Sequence, residues 1–93
     1  MIEITYDGKT GITIHGHAEA GEYGDDLVCA AVSSLTQTLA ESCENRVLMS
    51  GWAVLGGGNE EVFKAFAKGY ALLAIFFPDC VHYKCETEDK KQE

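Results

Sequence analysis

The 93-residue chain predicts a two-layer α+β domain in the order β-β-α-β-α-β, with two helices packed on a mainly antiparallel sheet. Three observations lead there. Strand-like alternation flanks Asp7-Gly8 near the start, a helical apolar stripe follows Asp25-Asp26, and a second helical stretch opens at Asn59 and stops at Pro78 before a short final strand.

The first strand is Met1–Tyr6, with Ile2, Ile4 and Tyr6 on one face and Glu3 and Thr5 on the other. Asp7-Gly8 favours a tight hairpin turn, because both residues tolerate positive φ. Alternation resumes over Gly11–His17, where Ile12 and Ile14 face one way and Thr13, His15 and His17 the other. Ala18–Gly24 (AEAGEYG) carries two glycines and is expected to be a flap-like loop. Asp25-Asp26 then supplies an N-cap for a helix reaching about Asn45, buried along Val28, Val32, Leu35 and Leu39. Cys29 lies about 100° round from that stripe, on the side of Ser33 and Thr36, in the first turns.

Val47–Leu55, with Trp52 near its middle, reads as a third strand despite Gly51, and Gly56-Gly57-Gly58 ends it as a flexible connection. The three glycines lack the lysine and spacing of a phosphate-binding loop and precede two glutamates. Asn59 caps the second helix, and Glu60 and Glu61 suit the positive end of its dipole. That helix runs to about Phe77, where Pro78 cannot continue it. Its apolar residues cover more than one face, so its later turns need broad burial by the sheet, the other helix or another subunit. Val81–Glu86 is the last strand. Residues 1–86 thus form one domain, and Thr87–Glu93 is a charged tail expected to fray.

Composition narrows the function classes. Seven basic residues against fifteen acidic ones leave a net charge of −8, which repels phosphate backbones and argues against nucleic acid as a partner. The same charge would speed encounter with a basic protein or peptide. The longest unbroken apolar run, Tyr70–Phe77, has eight residues, whereas a membrane span needs about 20. Met1–Tyr6 has neither the basic start nor the apolar stretch of a signal peptide, so a cytoplasmic protein is expected. Cys29, Cys43, Cys80 and Cys85 contain no CxxC pair and are read as reduced thiols.

Two residue types could do chemistry together. A cysteine near a helix start gains from the unpaired amides and positive dipole there, because the thiolate is the nucleophile. Cys29 holds that place, although Asp25 and Asp26 oppose a thiolate unless they orient a cationic imidazole. The amide of Cys29 and its helix neighbours are the expected oxyanion donors. His17 ends the preceding strand and can serve as base across the loop. His15 shares its face about 6.5 Å further down the strand, and His82 on the last strand is a third option. Zinc held by His15, His17 and a cysteine is the competing use, but no second close ligand pair accompanies them, so neither metal nor other cofactor is expected.

Gly16-His17-Ala18, followed by Glu22-Tyr23-Gly24-Asp25-Asp26-Leu27-Val28-Cys29-Ala30-Ala31-Val32-Ser33, resembles the signature of the ribosomal-processing cysteine proteases called Prp. The resemblance extends over the chain in length and element order and is sharp over Gly16–Ser33. It implies His17 as catalytic histidine and Cys29 as nucleophile, with Gly16 before the histidine, Asp26 as an acidic neighbour and Ser33 as a polar one. It further implies a bacterial homodimer that removes a short N-terminal extension from large-subunit ribosomal protein number twenty-seven. Phage and prophage relatives that process capsid-assembly proteins are the alternative, as is a non-catalytic binding module using the acidic surface. The region of the third strand does not match the family pattern closely, which leaves substrate choice more open than chemistry.

Overall fold

A computed structural model describes residues 1–16 and 23–86, the side chains of 23–26 excepted. Two helices lie on one face of a five-stranded sheet of order β3-β4-β2-β1-β5. The elements are β1 (Ile2–Tyr6), β2 (Gly11–Gly16), α1 (Tyr23–Ala40), β3 (Asn45–Met49), β4 (Trp52–Gly56), α2 (Glu60–Phe76) and β5 (Val81–Cys85). All pairings are antiparallel except that of β1 with β5. This is the expected α+β architecture with one strand more.

The extra strand comes from Gly51. Where one strand was expected over Val47–Leu55, the chain reverses at Ser50-Gly51 and pairs Met49 with Trp52 across a two-residue turn. Gly51 has φ of 74°, a left-handed conformation that glycine adopts without the Cβ penalty. The first reversal is also wider than a two-residue turn. Asp7 Oδ1 accepts from the amides of Lys9 (2.7 Å) and Gly11 (3.0 Å), so the carboxylate itself organises the 7–11 loop.

α1 departs from expectation at both ends. It begins at Tyr23, so Tyr23 and Gly24 belong to helix rather than to a flap, and Asp25 and Asp26 sit in its first turn rather than capping it. It stops at Ala40, five residues before Asn45. Neither glycine nor proline marks that end. The chain instead tightens through Glu41 N–H to Thr38 O, Ser42 N–H to Leu39 O and Cys43 N–H to Ala40 O. Arg46 Nη1 donates to the carbonyl of Ala40 at 2.8 Å, a cap that arrives from β3. α2 starts as expected, with Asn59 Oδ1 accepting from Glu61 N (2.8 Å) and Val62 N (3.1 Å). The glycine run after β4 is held rather than loose, since Gly57 N–H donates to Thr10 O and Gly57 O accepts from Glu44 N–H, both at 3.0 Å.

The core lies between sheet and helices. Ile2, Ile4, Tyr6, Ile12, Ile14, Ala53, Leu55 and Val81 meet Val28, Val32 and Leu39 of α1 and Phe63, Ala67 and Tyr70 of α2. One polar link crosses this core. Thr36 Oγ1 donates to Val32 O at 2.7 Å, which spends its only hydrogen, so Tyr70 OH is the donor in the 2.9 Å contact between them. Burial pushes the Tyr70 phenol up to about 12 from its ordinary 10.0, against the opposing effect of the Thr36 hydrogen bond. The folded-state value lies above the unfolded one, so the associated stability is fully present below pH 10 and is lost as pH rises toward 12. Alkaline denaturation followed by circular dichroism should therefore steepen over that interval in the parent and flatten in Tyr70→Phe. That variant should also be less stable at pH 7, by about 1–2 kcal/mol.

Candidate active site

A groove of about 460 Å³ opens between α1 and the β3–β4 hairpin. Successive turns of α1 present Cys29, Val32, Ser33, Thr36 and Gln37 to it. The opposite wall is Leu48–Ala53, and Ile2, Ile14 and Gly16 close its base. Its interior is mainly aliphatic, with hydroxyl and amide groups from α1 along one side. Such a slot suits an extended apolar segment whose main chain needs polar partners.

Cys29 is half-buried at the groove wall, off the stripe of Val28, Val32 and Leu39. The other thiols are placed differently. None of Cys43, Cys80 and Cys85 lines the groove. Cys43 donates its S–H to Leu39 O at 3.3 Å, and burial pushes its thiol pKa up despite the nearby Arg46. That is the chemistry of a structural cysteine rather than a nucleophile.

The helix start changes the expected activation of Cys29. It is the seventh residue of α1, about 9 Å from the first, beyond the turn in which the dipole acts strongly. The orphan amides of a helix are its first four, so the amide of Cys29 is spent within the helix rather than free as an oxyanion donor.

The pleat removes two of the three histidines. Ile14 points into the core and lines the groove, so its neighbour His15 projects from the opposite face of the sheet, paired with Glu3 and Trp52. His82 pairs with Glu3 on that same outer face. Neither faces Cys29. His17 lies outside the described residues, as do the side chain of Asp26 and residues 18–22 of the expected flap. Gly16, the last residue of β2, has φ of 106°.

Gly16 is fixed from two sides. Its N–H donates to Gly51 O at 2.9 Å, which ties the strand end before His17 to the β3–β4 turn. A Cβ at Gly16 would collide with the carbonyl oxygen of Met1. Ser33, one turn after Cys29, accepts from Gln37 Nε2 at 3.0 Å. The hairpin wall and Gln37 were not singled out from sequence. The Ser50-Gly51 dipeptide inside a β-rich run was the available signal for the hairpin, whereas nothing local distinguishes Gln37 from any solvated helix residue.

Comparison with known proteins agrees with this fold. The family model described as cysteine protease Prp matches residues 1–75. The crystal structure of SMU.848 from Streptococcus mutans is similar at 29% identity and a TM-score of 0.72, covering 91% of this chain and 93% of that one. Two structures of the essential ribosomal processing protease Prp from S. aureus are also similar in fold. The one with a covalently linked product peptide is 19% identical, the one with a substrate peptide 18%; each has a TM-score of 0.72 and covers 90% of this chain and 96% of that one. No curated protein matches the chain. With a groove that presents a half-buried thiol and a family match over most of its length, the chain belongs to the Prp family of cysteine proteases.

Proposed function

We propose that Cys29 is the nucleophile and His17 its general base, and that the substrate is the N-terminal extension of large-subunit ribosomal protein number twenty-seven. The observation carrying the assignment is that Cys29, alone among the four cysteines, lines the groove. The peptide complexes of the S. aureus Prp support a peptide as occupant. An acidic chain of net charge −8 favours encounter with a basic ribosomal protein. His17 takes the thiol proton as Cys29 Sγ attacks the scissile carbonyl, then returns it to the leaving amine. Water hydrolyses the thioester and regenerates the thiol. Asp26, three residues before Cys29 in the sequence, is the acidic neighbour in this proposal; Gly16 and Ser33 support the pair from the strand end and the next helical turn.

The test is incubation of the purified protein with the ribosomal protein precursor and, separately, with a phage assembly protein, reading new N-termini by mass spectrometry. One cut near the precursor's N-terminus is expected. Cutting only the phage protein would reassign the substrate, and cutting neither would remove the protease reading of this groove. His17→Ala should abolish turnover while His15→Ala retains most of it; the reverse would move the base to the outer sheet face.

Assembly as a cytoplasmic homodimer is part of the same proposal. No described helix is long and apolar enough to cross a membrane. Yet α2 ends in exposed Leu72, Ile75 and Phe76, with Phe77 just beyond. A second copy covering these side chains accounts for apolar surface that the small core does not bury. Sedimentation at micromolar concentration should give a dimer mass for the parent and a monomer mass for Phe76→Glu. A monomeric parent would dismiss the dimer.

A further inference from the structure

The α1 wall of the groove poses a hydrogen-bonding problem for any peptide laid against it. Each residue of an extended peptide brings one N–H and one C=O, and both need partners when water is displaced. Between its first and last turns α1 cannot supply them from its backbone, because the amides and carbonyls there are paired within the helix. Thr36 is buried against Tyr70 OH and has no hydrogen left to give, since its hydroxyl donates to Val32 O. On this wall the polar side chains left to meet a main chain are Ser33 and Gln37, joined by the 3.0 Å bond from Gln37 Nε2 to Ser33 Oγ. That bond uses one of the two amide hydrogens of Gln37; the carbonyl Oε1 and the second N–H remain. A primary amide has the same donor and acceptor pair as a peptide unit and can bond both groups of one.

From this we infer that Gln37 is a positioning residue that anchors the substrate backbone at a subsite remote from the scissile bond. The helix fixes the distance. Gln37 is eight residues beyond Cys29, about 12 Å along the axis at 1.5 Å per residue. An extended peptide advances about 3.3 Å per residue, so Gln37 meets the third or fourth substrate residue from the bond attacked by Cys29. Ser33 lies half-way and fixes the rotamer of the Gln37 side chain. Because the contact is to main chain, it requires length of the substrate rather than any particular side chain. The inference rests on the groove being the peptide site, as proposed above.

A series of peptides shortened residue by residue on either side of the cut in the ribosomal precursor tests it. In the parent, kcat/KM should rise about five- to tenfold when the third or fourth residue on one side is added, the worth of one hydrogen-bonded backbone contact. Gln37→Ala should cleave the short peptides at the parental rate and lose that step, while Gln37→Asn, one methylene shorter, should recover part of it. Equal loss on short and long peptides, or an unchanged step in Gln37→Ala, would overturn the assignment. Peptide binding to Cys29→Ala, followed by isothermal titration calorimetry, keeps this separate from turnover. If the length step appears in binding and vanishes in Cys29→Ala/Gln37→Ala although the parent cuts nothing, the subsite stands and the protease proposal fails. If no peptide binds, the subsite falls with it.

Discussion

Replacing Cys29 by alanine should abolish peptide hydrolysis while leaving the fold and peptide binding intact. In the proposed mechanism the attacking atom is removed, and no second thiol can substitute, because Cys43, Cys80 and Cys85 lie outside the groove. Loss of a covalent nucleophile removes most of an enzyme's advantage, with a fall in kcat of order 10⁶ in a comparable hydrolase. Stability should change little. Cys29 is off the fully buried stripe of α1, and alanine is the better helix former. Thermal unfolding measured beside the cleavage assay separates the outcomes: lost activity at an unchanged Tm is expected. Persistent cleavage in Cys29→Ala would refute the nucleophile assignment.

Gly16→Ala should damage both stability and activity without touching a reacting group. Its φ of 106° is a conformation that costs an L-residue about 1–3 kcal/mol, and the added methyl also meets the Met1 carbonyl oxygen. The strand end must move to relieve this, which strains the 2.9 Å bond from Gly16 N–H to Gly51 O and with it one wall of the groove. For a domain of this size each kcal/mol lowers Tm by about 4–8 °C, so a fall of about 10–20 °C is expected by calorimetry. A displacement of about 1 Å at the strand end before the proposed base would cost on the order of 10²-fold in rate. Assayed well below its Tm, the variant should therefore be slow as well as labile. Full activity under those conditions would mean that Gly16 serves stability alone.

The two departures at α1 show where local signals stop. Asp25-Asp26 has the composition of an N-cap, yet the helix begins at Tyr23; acidic residues are equally at home in a first turn, and sequence does not separate the two. At the other end the helix is stopped by Arg46 of β3 bonding the Ala40 carbonyl, a partner the helix's own residues do not contain. By contrast α2 was bounded correctly, because Asn59 with Glu60 and Glu61 at one end and Pro78 at the other act through adjacent backbone. The Ser50-Gly51 turn was legible in principle and masked by the β-rich residues on both sides of it.

The same division runs through the site. Sequence alone determined the α+β class, the inward faces of β1 and β2, the placement of Cys29 off the apolar stripe, and a family signature over Gly16–Ser33 that the family match bears out. These depend on periods of 2 and about 3.6 residues and on motif spacing, all local properties. Only the tertiary structure decided that His15 and His82 face away from Cys29, that the Cys29 amide lies beyond the first turn of α1, and that the β3–β4 hairpin supplies the far wall of the groove. Those outcomes depend on which strands become neighbours and on where a helix begins. Contacts between residues far apart in the chain set both, as the Gly16–Gly51 and Arg46–Ala40 hydrogen bonds do here.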